Sequence, residues 1–234
     1  MAAARTPMTG GSAGSEGPGG TRQDEGPGEP SAFRQAVAAL RAARPRPEIR
    51  LSGLPAPRRL APYAFALEAS VAEAAGEGGD GAEPEELADG RFVLLHNPAG
   101  DDAWRGRFRV VTLGRADLEA EMAGDPLLPE VTWSWLTGAL EARSAAYDEP
   151  SGTVTRSTSA SFGGLADRAA QSELEIRASW TPRAEEGAAP DTVPDLAAHL
   201  VAWCDLLCQC AGLPPGGDGS PVVPLPQRRG PKPV

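Results

Sequence analysis

From Pro62 to Val71 the apolar side chains Tyr63, Phe65, Leu67, Ala69 and Val71 fall on every second position, with Ala64, Ala66, Glu68 and Ser70 between them. A period of two predicts a strand with one face in a core. Arg91 to Asn97 reads as a second strand, Pro98 to Ala103 as a turn, and Trp104 to Leu113 as the returning strand of a hairpin. On that return strand Trp104, Phe108 and Val110 share one face, and Arg105, Arg107 and Arg109 the other. Further on, Val154, Arg156, Thr158, Ala160 and Phe162 alternate with Thr153, Thr155, Ser157, Ser159 and Ser161. After Gly163-Gly164, Leu174, Ile176, Ala178 and Trp180 alternate with Glu173, Glu175, Arg177 and Ser179, which predicts two more strands.

Between the strands the spacing changes to that of helices. Ser31 is a candidate N-cap for a helix that places Phe33, Val37 and Leu40 on one face and stops before Pro45. The connector after it holds a short strand at Ile49 to Leu51. A short helix over Asp117 to Met122 leads into a long one with Pro129 in its first turn. There Trp133, Leu136 and Leu140 form one stripe, and Trp135, Ala139 and Ala142 a neighbouring one. The long helix turns at Asp148-Glu149-Pro150 into the hydroxyl-rich strand. The last helix opens on the Thr192 to Asp195 box, runs through Leu196, Leu200, Trp203, Leu207 and Cys210, and ends at Gly212 before Pro214. This order predicts an α+β domain: an antiparallel sheet of about five strands with helices mainly on one face.

Composition sets the limits of that domain. Residues 1–30 are mostly Gly, Pro, Ala, Ser, Glu and Thr without apolar periodicity, and are expected to be a disordered tail. Residues 214–234 are expected to be a disordered Pro-rich tail with a basic end at Arg228, Arg229 and Lys232. A single domain over 31–213 remains. Residues 73–90, with seven acids and no base, read as a solvated loop. The formal net charge of −10 makes the domain a poor direct ligand for nucleic acid, because neutralising phosphates supplies most non-specific affinity. No leader-like apolar region follows Met1, and no window approaches the roughly 18 apolar residues that would span a bilayer. Cys204, Cys208 and Cys210 lie too close together to staple distant segments, so a reducing, cytoplasmic setting and no membrane partner are expected.

The chain carries no catalytic signature, and each chemical candidate meets an objection. Gly76, Gly78 and Gly81 satisfy the dinucleotide G-x-G-x-x-G pattern, but Glu83, Glu85 and Glu86 follow where a helix N-terminus should receive pyrophosphate. Cys204, Cys208 and Cys210 with His199 lack zinc-knuckle spacing, and buried apolar cysteine is the commoner outcome. His96 has no G-x-S-x-G nucleophile to serve. No cofactor or metal is therefore expected. Arg105, Arg107 and Arg109 are either an exposed face balanced by carboxylates or a receptor for a phosphate or an acidic peptide. The Thr153 to Ser161 hydroxyls are either a solvated strand face or a polar docking surface. Trp133 and Trp135 lie about 200° apart on their helix, so core packing accounts for one and leaves the other as a candidate interface anchor.

The runs FRQAVAALRAARPRPEIRL, GRFVLLHNPAGDDAWRGRFRVVTLGRADLEAEM, PLLPEVTWSWLTGALEARSAAYDEPSGTVTRSTSASFG and HLVAWCDLLCQCAGLPP together resemble an uncharacterised actinobacterial family, the one numbered three thousand among domains of unknown function. The resemblance covers most of 31–213 and implies no activity, ligand or site residue. It does imply a genomic neighbour, a ribonuclease-D-like exonuclease. The order of elements is also similar to that of the type III secretion chaperone-like fold, whose members are acidic dimers that hold partner chains. The expectation is a non-enzymatic cytoplasmic module that binds another protein, or a second copy of itself, through Trp133, Trp135, Arg105, Arg107 and Arg109. The alternatives are an accessory factor in RNA processing acting through a protein partner, and an enzyme with an unrecognised site.

Overall fold

The structure is a computed structural model that describes residues 28–72, 86–189 and 191–214. Its centre is one antiparallel sheet in the order β1-β2-β3-β4-β6-β5. The strands are β1 (Ile49–Leu54), β2 (Tyr63–Ala72), β3 (Glu86–Asp101), β4 (Gly106–Leu118), β5 (Tyr147–Ser159) and β6 (Gln171–Pro182). The helices are α1 (Ser31–Ala42), α2 (Ala120–Ala123), α3 (Leu128–Ala142) and α4 (Leu196–Cys210). The α+β class stands as read from the pattern, with six strands in place of about five, because the short segment after α1 pairs with β2 over its whole length.

One set of alternating side chains faces the helices. Leu67, Ala69 and Val71 of β2, Phe92 and Leu94 of β3, Phe108 and Val110 of β4, and Leu174, Ile176 and Trp180 of β6 pack with α1, α3 and α4 in one core. The middle of the layer is α4, buried nearly all round, with Trp203 tilted against Phe92 at 5.7 Å. It comes close because glycines lie under it. A Cβ on Gly90 would stand 2.7 Å from Trp203 Cζ2, and one on Gly114 would stand 2.8 Å from Leu207 Cδ2. The helix is capped at both ends. The Asp195 side chain accepts from the Ala198 N–H, and Gly212, at φ 75°, closes a Schellman motif in which Leu213 N donates to Cys208 O.

Several boundaries differ from the expected ones. Residues 86–90, expected in the acidic loop, belong to β3, since Glu86, Ala88, Asp89 and Gly90 pair with β2 despite the two acids among them. Trp104 and Arg105 sit in the β3–β4 turn, Arg105 at φ 53°, so neither shares a strand face with its neighbours. The expected turn at Asp148-Glu149-Pro150 is a bulge inside β5, with Glu149 at φ 50° and the register shifting between Asp148 and Ser151. Ser31 is the first residue of α1 and no side chain caps that helix. Asp195 alone caps α4, which begins after it.

Candidate functional site

In β3 the run Phe92-Val93-Leu94-Leu95 is apolar on both faces, and β4 repeats this with Val110, Val111 and Leu113. The helices cover only one face. On the other, cross-strand pairing lines up Leu54, Ala66, Val93, Val111, with Ser179 and Ser151 beyond them. The adjacent row is Ser52, Glu68, Arg91, Leu113, Arg177 and Thr153. These two rows enclose a shallow cavity of about 610 Å³, lined by β3, β4, β5 and β6 alone, with Val93, Val111 and Leu113 as its half-buried floor. Arg91 and Arg177 are exposed at its rim, with 59% and 64% of their side-chain surface accessible.

One wall of the cavity is held by Arg109, which points to the same side of the sheet and is buried. Its guanidinium donates to Glu149 O (3.0 Å), Thr181 Oγ1 (3.0 Å), Ser151 Oγ (3.2 Å) and Ser179 Oγ (2.7 Å). Burial pushes its pKa below the ordinary arginine value, and Glu149 opposes that shift. With both terminal amino groups bonded inside the fold, Arg109 fastens the β5 bulge to β6. The other two arginines of the expected face stand elsewhere. Arg105 pairs with Glu149 at 2.8 Å, and Arg107 with Asp191 at 2.9 Å. Arg105 is in the turn, Arg107 is paired with Asp191, and Arg109 is a buried fastener, with Arg105 and Arg109 meeting on Glu149.

The two tryptophans are placed more symmetrically than their spacing suggests. The buried stripe of α3 is Leu128, Thr132, Leu136, Ala139 and Leu140. At about 100° per residue, Trp133 and Trp135 flank that stripe on either side, and both are half-buried against the core. Trp133 lies over β5 at Gly152. The hydroxyl row of β5 is exposed along the sheet edge.

The titratable candidates are absorbed by the core. His96 is stacked between Phe108 (4.3 Å) and Phe33 (5.8 Å) and donates through Nδ1 to Arg107 O; burial lowers its pKa. His199 accepts the Trp180 indole N–H at 3.1 Å on Nδ1, and burial lowers its pKa to about 4. Burial pushes the Cys208 thiol up to about 11 and the Cys210 thiol to about 12, and raises Cys204 as well, so all three are protonated side chains of the core. The Gly76, Gly78 and Gly81 pattern lies outside the described residues.

The open-face residues Val93, Val111, Leu113, Arg91 and Arg177 were not singled out from the sequence. The signal was present as unbroken apolar runs in two neighbouring strands, a pattern that belongs to sheets covered on both faces. Compared with known proteins, the chain matches the family described as Protein of unknown function (DUF3000) over residues 29–219. No curated protein matches it. No solved structure matches it either, so the likeness to type III secretion chaperones rests on element order alone.

Proposed function

The chain belongs to the DUF3000 family, whose description states no activity, and from that premise we propose that the protein is a non-enzymatic module that binds a partner protein on the open face of its sheet. A cytoplasmic setting is part of the proposal, supported by three unpaired cysteines. The observation that carries the reading is that β3 and β4 are apolar on both faces while helices cover only one. Leaving such a floor in water forgoes roughly 25 cal/mol for each Å² of apolar surface, which a partner recovers on docking. His96 and His199, held among core side chains, further favour binding over catalysis. No helix among the described residues is long and apolar enough to cross a membrane.

The test compares wild-type protein with Val111→Glu in affinity capture from the native host, alongside thermal unfolding of each. The reading expects a partner that is captured by the wild type and lost with Val111→Glu, while the variant unfolds at nearly the wild-type temperature. Unchanged capture, or collapse of the fold on placing one carboxylate at this surface, would overturn it.

A further inference from the structure

Resting on that reading of the open face, we propose that the partner presents a short segment in which two or more apolar side chains are followed by an Asp or Glu, whose carboxylate is received between Arg91 and Arg177. Arg91 and Arg177 share a cross-strand row with only Leu113 of β4 between them. With strands spaced about 4.8 Å apart, their backbones stand about 10 Å apart, a gap that two arginine side chains are long enough to span by turning towards one carboxylate.

The charge of the cavity runs against that of the chain. The whole sequence carries a net charge of −10, yet the lining holds two guanidiniums and no carboxylate. Each arginine is in an ion pair with an acid of the same sheet, Arg91 with Glu68 and Arg177 with Glu175, and both pairs run through Nε rather than through a terminal amino group. Glu68 stands 3.8 Å from Arg91 Nε, beyond hydrogen-bonding distance. Glu175 is shared, accepting from Arg115 Nε at 3.0 Å and from Arg177 Nε at 2.7 Å. The terminal amino groups of Arg177 make no hydrogen bond to any described residue, so the outer fork is open. Beside this clamp the floor of Val93, Val111 and Leu113 takes apolar side chains, which is why a lone anion does not satisfy the site and an apolar segment with one acid does.

The experiment selects displayed random peptides on the full-length wild-type chain with counter-selection on Val111→Glu, then measures the binding of synthesised winners by fluorescence anisotropy. The expected winners combine apolar residues with Asp or Glu. Changing that acid to its amide, or making the double variant Arg91→Gln with Arg177→Gln, should weaken binding at least about ten-fold. The peptide substitution reads the same contact without touching the protein, so an unstable double variant leaves the test intact. Apolar winners that ignore both changes, while still requiring Val111, overturn the clamp and leave the open-face reading standing. Absence of any Val111-dependent winner overturns both. Full displacement of the winners by dodecanoate at equal or lower concentration would make the occupant a free anionic amphiphile, and so would also overturn the peptide proposal.

Discussion

Trp133 rests on Gly152: a Cβ built on that glycine would lie 2.7 Å from the Cζ3 of the indole and would clash with the Arg177 carbonyl oxygen. The pair joins two surfaces, since α3 contributes the indole from the helix side and Gly152 also lines the open-face cavity. Gly152→Ala is expected to destabilise the fold by about 1–3 kcal/mol in chemical denaturation, as overpacking does. In a Trp133→Ala background only part of that loss should disappear, because the Arg177 carbonyl stays in place. Complete relief, or no relief, in the double-mutant cycle would contradict this contact.

The docking of α4 on the sheet depends on the absence of side chains beneath it. Gly90→Ala meets the Leu113 carbonyl at 2.5 Å and Trp203 at 2.7 Å, while Gly114→Ala meets flexible Leu207 at 2.8 Å. Both variants should lose stability, Gly90→Ala more, by on the order of 2 kcal/mol or above. Thermal unfolding of the two variants side by side checks the order, which reverses if backbone approach matters less than the leucine.

At the end of α3, Ser144 occupies φ 52° and closes a Schellman motif in which Ala145 N donates to Leu140 O. Glycine is the natural residue there, since a Cβ in the left-handed region costs about 1–2 kcal/mol. Ser144→Gly should therefore raise stability by about 0.5–1 kcal/mol after the added freedom of the unfolded chain is subtracted. A lowered unfolding temperature would show that the serine is stabilised there by other means.

The Trp180–His199 hydrogen bond makes stability depend on pH. Burial is the main cause that takes His199 from 6.5 to about 4, and protonating Nδ1 would displace the indole N–H. Between those two values the unfolded chain holds more protons, so stability is full above about pH 6.5 and falls as the pH drops towards 4, by about 3 kcal/mol in all. His96, lowered by burial, acts in the same direction. Glu175, held below the usual carboxylate value chiefly by its hydrogen bond from Arg177, adds stability above its unfolded pKa that is lost as pH falls further. Denaturation measured from pH 7.5 to 4.5 should show the decline, and His199→Gln should flatten it.

Alternation along β2 and β6 was legible because each of those strands puts its large apolar side chains on one face and small or polar ones on the other, so period two survives in the residues themselves. The Schellman end of α4 was legible at Gly212 for the same local reason, a backbone angle that favours glycine. The open face could not be read in this way. Val93 and Leu94, or Val110 and Val111, are alike in chemistry, and nothing local says which of each pair is buried under the helices and which lines the open face. Nor could Arg109 be told from Arg105 and Arg107, since its four acceptors come from β5 and β6, at least 40 residues away along the chain. The sequence by itself determined that strands and helices form, that the domain is α+β, and that Trp133, Trp135, Trp203 and the three cysteines belong to helices, because propensity and periodicity act within one element. Tertiary structure alone decided which face of the sheet stays open and which arginines line it, because register and layer order are set by contacts between segments far apart in the chain.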